Sequence, residues 1–185
     1  MESRDSILAA ARDIVAEKGV KASSVAEMAA KAGVAKALVF YYFKNKSAII
    51  SELTGKLGRE YLLGLAALPD DPSALQRLHG VMTHHFDFID NSPLNAQFLY
   101  QSVTGANTGG MLAFYDLLFG LIQAILRQGM ASGEFRELDT EEVAYMILGS
   151  LHGVGRLKLF EFKRDFDAVL HLMSFYDTAL RRPAS

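Results

Sequence analysis

The chain has no cysteine and no tryptophan, and only four prolines in 185 residues. Without cysteine there is no disulfide scaffold, no cysteine-ligated zinc or iron–sulfur site and no thiol nucleophile. Any sensing it performs runs through ligand fit rather than thiol oxidation. Four prolines leave room for long helices and few β turns. A membrane span is also missing from the pattern. The longest apolar run, Met111–Leu126, is interrupted by Asp116 and Gln123. It is too short and too polar to cross a bilayer and reads as a buried helix. The first residues, MESRDSILAA, carry no basic-then-apolar leader, so the expected location is cytoplasmic. What the chain has in plenty is apolar side chain, 50% of all residues. A chain of this length buries roughly 70% of its unfolded surface and needs no covalent staple to fold. Its length allows one or two domains.

Charge is scarce overall, at a formal −2, but it is unevenly placed. Up to Gly58 there are nine basic and six acidic residues, a net of +3. After Gly58 there are ten basic and fifteen acidic, a net of −5. A basic head on an acidic body points to a head that meets an anion.

The apolar spacing is helical almost throughout. Ile7, Ala10, Ala11, Ile14 and Val15 share one face of a first helix, expected to stop at Lys18-Gly19. Ser24-Val-Ala-Glu27 is a capping box, which starts a second helix that ends at Gly33. A short third helix is expected at 36–43, and a fourth from Asn45-Lys46-Ser47. Pro-Asp-Asp-Pro after Leu68 is a stop and restart, with Pro72 suited to a new first turn. Asn91-Ser-Pro93 breaks the pattern again. A shorter helix over 94–103, a loop over 104–110, and helices over 111–130, 140–160 and 165–181 complete the reading. The expectation is an all-α fold of about nine helices: an N-terminal helix-turn-helix head and a C-terminal bundle. The head is assigned to residues 1–46, and ligand binding with dimerisation to 47–185.

Ser23 to Ile49 carries the chemistry. Ala29, Gly33 and Val39 stand four and six apart. A small residue lets the second helix approach the third, a glycine makes the left-handed turn, and a branched residue holds the third helix on the core. The opposite face of that helix is then free for a DNA major groove.

This stretch resembles the TetR family of transcriptional regulators. The resemblance rests on Ile7, Ala10-Ala11 and Glu17-Lys18-Gly19, then Ser23-Ser24-Val25, Met28-Ala29 and Ala32-Gly33-Val34. It continues through Val39-Phe40-Tyr41-Tyr42-Phe43 and Lys46, and covers about the first 55 residues. It implies that Lys36, Ala37 and Leu38 face base edges. It also implies that Tyr41 and Tyr42 meet the sugar–phosphate backbone, and that Lys46 and Ser24 hold phosphates at helix starts. Three positions depart from the family pattern. Ala35 stands where Ser or Thr commonly caps the recognition helix, Leu38 replaces Thr or Ser, and Phe40 replaces Tyr.

The larger part offers no catalytic constellation. His79, His84 and His85 are spaced by five and one, which does not aim three rings at one metal. No nucleophile elbow and no phosphate loop are present, so neither enzyme activity nor a cofactor is expected. Aromatic and Met side chains are dense instead. They make a core and, as the resemblance implies, an effector cavity. Phe88, Phe98, Gln101, Tyr115, Phe119 and His152 are the candidate lining, suited to a hydrophobic or aromatic effector. Gly149, Gly153 and Gly155 fall inside one expected helix, where each costs about 1 kcal/mol relative to Ala. Close helix approach would offset that cost, either inside one subunit or between two. The resemblance implies a homodimer, with Leu151, Val154, Leu159, Phe166, Leu170, Met173, Phe175, Tyr176 and Leu180 as its apolar surface. Two heads about 34–36 Å apart would read a palindromic double-stranded operator. The expected function is a ligand-responsive regulator, in the first instance a repressor released by its effector. The alternative is a helical ligand-binding or interaction module with no DNA role.

Overall fold

The computed structural model describes residues 3–70, 72–102, 109–161 and 166–181. Nine α-helices follow in order among them: α1 Ser3–Ala22, α2 Val25–Ala32, α3 Lys36–Tyr42, α4 Lys46–Ala66, α5 Ala74–Asn91, α6 Pro93–Ser102, α7 Gly109–Ala131, α8 Thr140–Arg156 and α9 Ala168–Leu180. A π-helical turn, Leu157–Glu161, continues α8. The described residues hold no strand, only an isolated bridge between Phe135 and Arg181. The all-α expectation holds.

Two boundaries differ from the sequence reading. At the expected place, Gly19, the helical backbone of α1 does break, with φ 80° and ψ 168°, and a short last turn follows to Ala22. The carbonyl of Val20 is held there from outside, by the Ser23 hydroxyl and by Lys46. The fifth helix starts at Ala74 rather than Pro72, because its cap comes from a distant residue. The Glu134 carboxylate accepts from the Ser73 hydroxyl and from the amides of Ala74 and Leu75. A carboxylate there satisfies orphan amides and complements the helix dipole. The eighth helix gives way to the π turn at Leu157 instead of running to 160. Positions 104–108 of the expected loop, and residue 165 of the last expected helix, lie outside the described residues.

The chain forms two compact units. One is Met1–Leu62 with Ser92–Ala113; the other is Leu63–Asn91 with Phe114–Ser185. In the first, α1 packs on α2, α3 and α6. Its core joins Ile7, Ala11 and Val15 of α1, Met28 and Ala29 of α2, Val39 of α3, Ile49 and Leu53 of α4, and Phe98 of α6. In the second, α5 packs on both α8 and α9. Leu78 and Met82 of α5, Ile122 and Leu126 of α7, and Ile147 and Leu151 of α8 are wholly buried there. Of the described helices, none is long and apolar enough to cross a membrane.

Candidate functional site

The head is built around one turn. Gly33 closes α2 in the left-handed region, φ 68° and ψ 29°. The Gly33 amide donates to the Ala30 carbonyl at 3.2 Å and the Val34 amide to the Ala29 carbonyl at 3.0 Å. A side chain with a Cβ disfavours this conformation, so the turn suits glycine. The turn brings α3 back onto α1 and α2, with one face in the core and the other outside. Val39 is 0% exposed and Phe43 is 3% exposed, and both point inward. Lys36, Ala37, Phe40 and Tyr41 stand one turn apart on the opposite face and are all exposed. Helical spacing of one, four and five makes that a single surface.

Details on this surface were not legible beforehand. Tyr41 is 79% exposed, and the ring of Tyr42 meets it edge-on with centroids 5.2 Å apart. The Lys36 ammonium lies over the Phe40 ring, 5.8 Å from its centroid. Phe40, noted only as a departure, thus belongs to the exposed face. Leu38 is half-buried, turned partly toward the helix's inner side. Ala35, at the N-cap of α3, makes no side-chain cap bond.

Two expected phosphate contacts have partners inside the chain. The Ser24 hydroxyl donates to the Glu27 carboxylate at 2.8 Å, and the Ser24 amide donates to the same oxygen at 2.9 Å. The Glu27 amide returns a bond to Ser24 Oγ, which completes the capping box. Lys18 pairs with Glu27 in turn. That ion pair and the Ser24 hydroxyl hold the Glu27 carboxyl below its usual range. The start of α2 therefore already carries an anion. Lys46 spends two of its three protons on main-chain oxygens, those of Val20 and Ser23, each at 2.8 Å. Asn45 rather than an incoming anion caps α4, accepting from the Ala48 amide at 2.9 Å.

The six expected lining residues fall in both units, Phe98 and Gln101 in the first and Phe88, Tyr115, Phe119 and His152 in the second. Phe98 is fully buried in the core of the first unit. Gln101, in the same unit, lies beside Gly19 of α1. Core packing claims the one and α1 the other. Phe119 meets Tyr145 at a tilt, with ring centroids 4.6 Å apart, and Tyr145 is 62% exposed. Phe88 is half-buried on α5. Tyr115 and His152 do meet, with the hydroxyl 2.8 Å from Nδ1. Burial pushes the Tyr115 hydroxyl up to about 12 and pushes His152 down. The sequence reading weighed His85 only as a metal ligand. Burial lowers it to about 4, against a bond to the Leu151 backbone that pulls the other way, so it is neutral at pH 7. Thr83, also on α5, has a buried hydroxyl with no partner among the described residues. A separate cleft of about 440 Å³ lies between Leu65, Leu68, Arg77, His79, Val81 and Ile125. None of the six expected residues lines it.

The expected dimer surface divides in two. Leu151, Leu159, Met173, Tyr176 and Leu180 are buried within their own subunit. Tyr176 also bonds Ser150, hydroxyl to hydroxyl, at 2.7 Å. These five hold α8, α9 and the π turn to the rest of their unit, and so are corrected as outward contacts. Val154 is half-buried. Phe166, Leu170 and Phe175 face out, at 40%, 61% and 66% exposed. Tyr145 and Met146, missed by the sequence reading, are exposed too. They sit one turn before Gly149, and Gly149 one turn before Gly153. A Cβ on either glycine would meet nothing within 4 Å. The stripe Tyr145-Gly149-Gly153, at a spacing of four, was the available signal.

Against known proteins, residues 7–53 match the family model for bacterial regulatory proteins of the tetR family. Residues 71–156 match the model for a tetracyclin repressor-like C-terminal domain. The fatty acid metabolism regulator protein of Bacillus subtilis is 29% identical over 150 residues, covering 78% of this chain and 77% of its own. The HTH-type transcriptional repressor BepR of Brucella suis is 25% identical across 100% of this chain and 94% of its own. The crystal structure of FadR from Bacillus subtilis, in complex with stearoyl-CoA, shares the fold with a TM-score of 0.74. It is 24% identical and covers 94% of this chain and 95% of that one.

Proposed function

The chain belongs to the TetR family and is a ligand-responsive DNA-binding regulator; from that premise we propose that it acts as a homodimeric repressor, released from a palindromic operator by a small, largely apolar effector. The observation that carries the reading is the two-sided third helix, with Val39 and Phe43 sealed in the core and Lys36, Ala37, Phe40 and Tyr41 set out in one row. The DNA-reading residues lie within 1–46, on a head whose core also takes in parts of α4 and α6; sensing and dimerisation fall within 47–185. Lys36 and Ala37 face base edges, Leu38 only in part, and the two tyrosines grip the backbone. The unit works where the DNA is, in the cytoplasm, and takes no catalytic part.

The dimer uses the outward stripe Tyr145, Met146, Gly149 and Gly153 of α8, with Phe166, Leu170 and Phe175. Exposed apolar area of this kind marks an association surface. Glycines that face open space within one subunit accommodate the backbone of a second.

For the effector we infer an acyl thioester, with its apolar chain and neutral thioester carbonyl held by the protein. Tyr115, His152 and His85 are all neutral at pH 7, so they hydrogen-bond a carbonyl without needing a counter-charge. The similarity to the fatty acid metabolism regulator protein, and the fold shared with the stearoyl-CoA complex of FadR, support that class. Selection of bound duplexes from a random pool tests the DNA reading. A palindrome is expected, and no capture even at low salt would sink it. Stearoyl-CoA, stearate and coenzyme A are then added separately to the captured complex. Release by stearoyl-CoA alone is expected. No release by any of the three would remove the acyl assignment and leave the operator reading standing.

A further inference from the structure

We propose that Lys46 is a positioning residue for DNA binding: its ammonium ties three helices of the head together from inside rather than holding a phosphate. The proposal rests on the operator-binding reading above. Lys46 is the first residue of α4 and stands three places after Phe43, the C-cap of the recognition helix. Its two bonds reach the carbonyls of Val20, near the end of α1, and Ser23, just before the N-cap of α2. One cation therefore references the start of α4 to the end of α1 and the start of α2.

The chemistry favours this use. Val20 lies just past the break of α1 at Gly19, where main-chain carbonyls lack the partners of a continuous helix and need a donor from elsewhere. Bonds from an ammonium are stronger than those between neutral groups. Ser23 is buried, and its hydroxyl donates to the same Val20 oxygen at 2.8 Å, so the turn is already ordered when Lys46 arrives. Lys46 itself is half-buried. The recognition helix lies between α2 and α4 in sequence. Fixing both to one turn sets the angle at which Lys36 and Tyr41 are presented.

Salt dependence separates the two roles. A phosphate contact adds counterion release, and a tie inside the protein does not. The test is Lys46→Met, which keeps the stem and removes the donors, assayed on the selected duplex over a range of salt. Binding is expected to weaken by roughly tenfold or more at every salt, as when a pair of charge-assisted bonds is lost. The slope of log affinity against log salt should stay as it was. A slope lower by about 0.9 per head would overturn the proposal, because it counts a lost phosphate. So would unchanged affinity in a folded variant, which would make the tie merely structural. Lys46→Arg, able to bond both carbonyls, should restore much of the affinity.

Should Lys46→Met fail to fold, the wild-type protein still decides. Its lysine Nζ signal, read by nitrogen NMR, should be slowed in exchange without DNA and unmoved when duplex is added. An Nζ signal that becomes bonded only with duplex would overturn the tie. If no duplex binds at all, the operator reading falls and takes this role with it. A slowed Nζ signal in the free protein would then show that the reading, not the bond, was at fault.

Discussion

Gln101 of α6 lies against Gly19 of α1, with its Oε1 3.2 Å from the point a Cβ on that glycine would occupy. The glycine is also at φ 80° and ψ 168°, a region that side chains with a Cβ scarcely enter. Gly19→Ala should therefore cost about 1–3 kcal/mol. In a chain of this size that lowers Tm by roughly 2–4 °C per kcal/mol. Calorimetry that shows no loss would mean the kink relaxes freely.

The recognition helix is seven residues long and its N-cap, Ala35, supplies no side-chain bond. Ala35→Ser should add a cap worth about 0.5–2 kcal/mol. Urea melts would register the gain. A stabilised variant with weaker duplex binding would show that the missing cap serves DNA fit rather than being neglected.

Lys36 and Tyr41 should part company in their effects. Lys36→Ala should relax base preference at one operator position, at about 1–3 kcal/mol of discrimination. Tyr41→Ala should weaken all sequences alike, since a backbone contact carries no sequence information. Repeating the selection with each variant distinguishes them, and a changed motif for Tyr41→Ala would reassign it to base reading.

Gly149→Leu meets open space in its own subunit. It should leave the helical circular dichroism of the chain unchanged, since Leu favours helix over Gly by a few tenths of a kcal/mol or more. Sedimentation at micromolar concentration should nevertheless find monomer. A stable dimer of the Gly149→Leu variant would put the interface elsewhere.

His85 makes stability fall with acid. Its pKa drops from 6.5 to about 4 on folding, chiefly through burial. The folded state thus keeps it neutral while the unfolded chain binds a proton. Stability is full above the unfolded value, declines as pH falls from about 6.5 to about 4, and then levels. At most about 3 kcal/mol is involved. His85→Gln should flatten that segment of a Tm-against-pH curve; a curve of unchanged slope would assign the loss to other groups.

Local pattern made the head readable. Capping box, glycine turn and core positions are set by residues within a few places of one another, and Ser24, Gly33, Val39 and Phe43 all behave as their spacing says. Partner choice was harder. Whether Lys46 meets a phosphate or a carbonyl depends on Val20 and Ser23, more than twenty residues away. The cap of α5 depends on Glu134, sixty residues on. The larger part was legible as helices but not as faces. Buried and exposed apolar residues alternate along α8 and α9, so composition alone could not tell Leu151 from Tyr145. Phe98 shows the same limit. An aromatic in a helix says that it will be buried, not which core will bury it.

That placement of Phe98 has a consequence for how the protein is made. The core of the head is walled by a residue that leaves the ribosome some fifty positions after the recognition helix. Until α6 emerges, Ile7, Val15 and Met28 lack one of their neighbours, and the nascent head has an open side. DNA-binding competence therefore arrives late in synthesis, after the chain has passed its midpoint. A product truncated before α6 would carry the recognition helix on a core that lacks one of its walls.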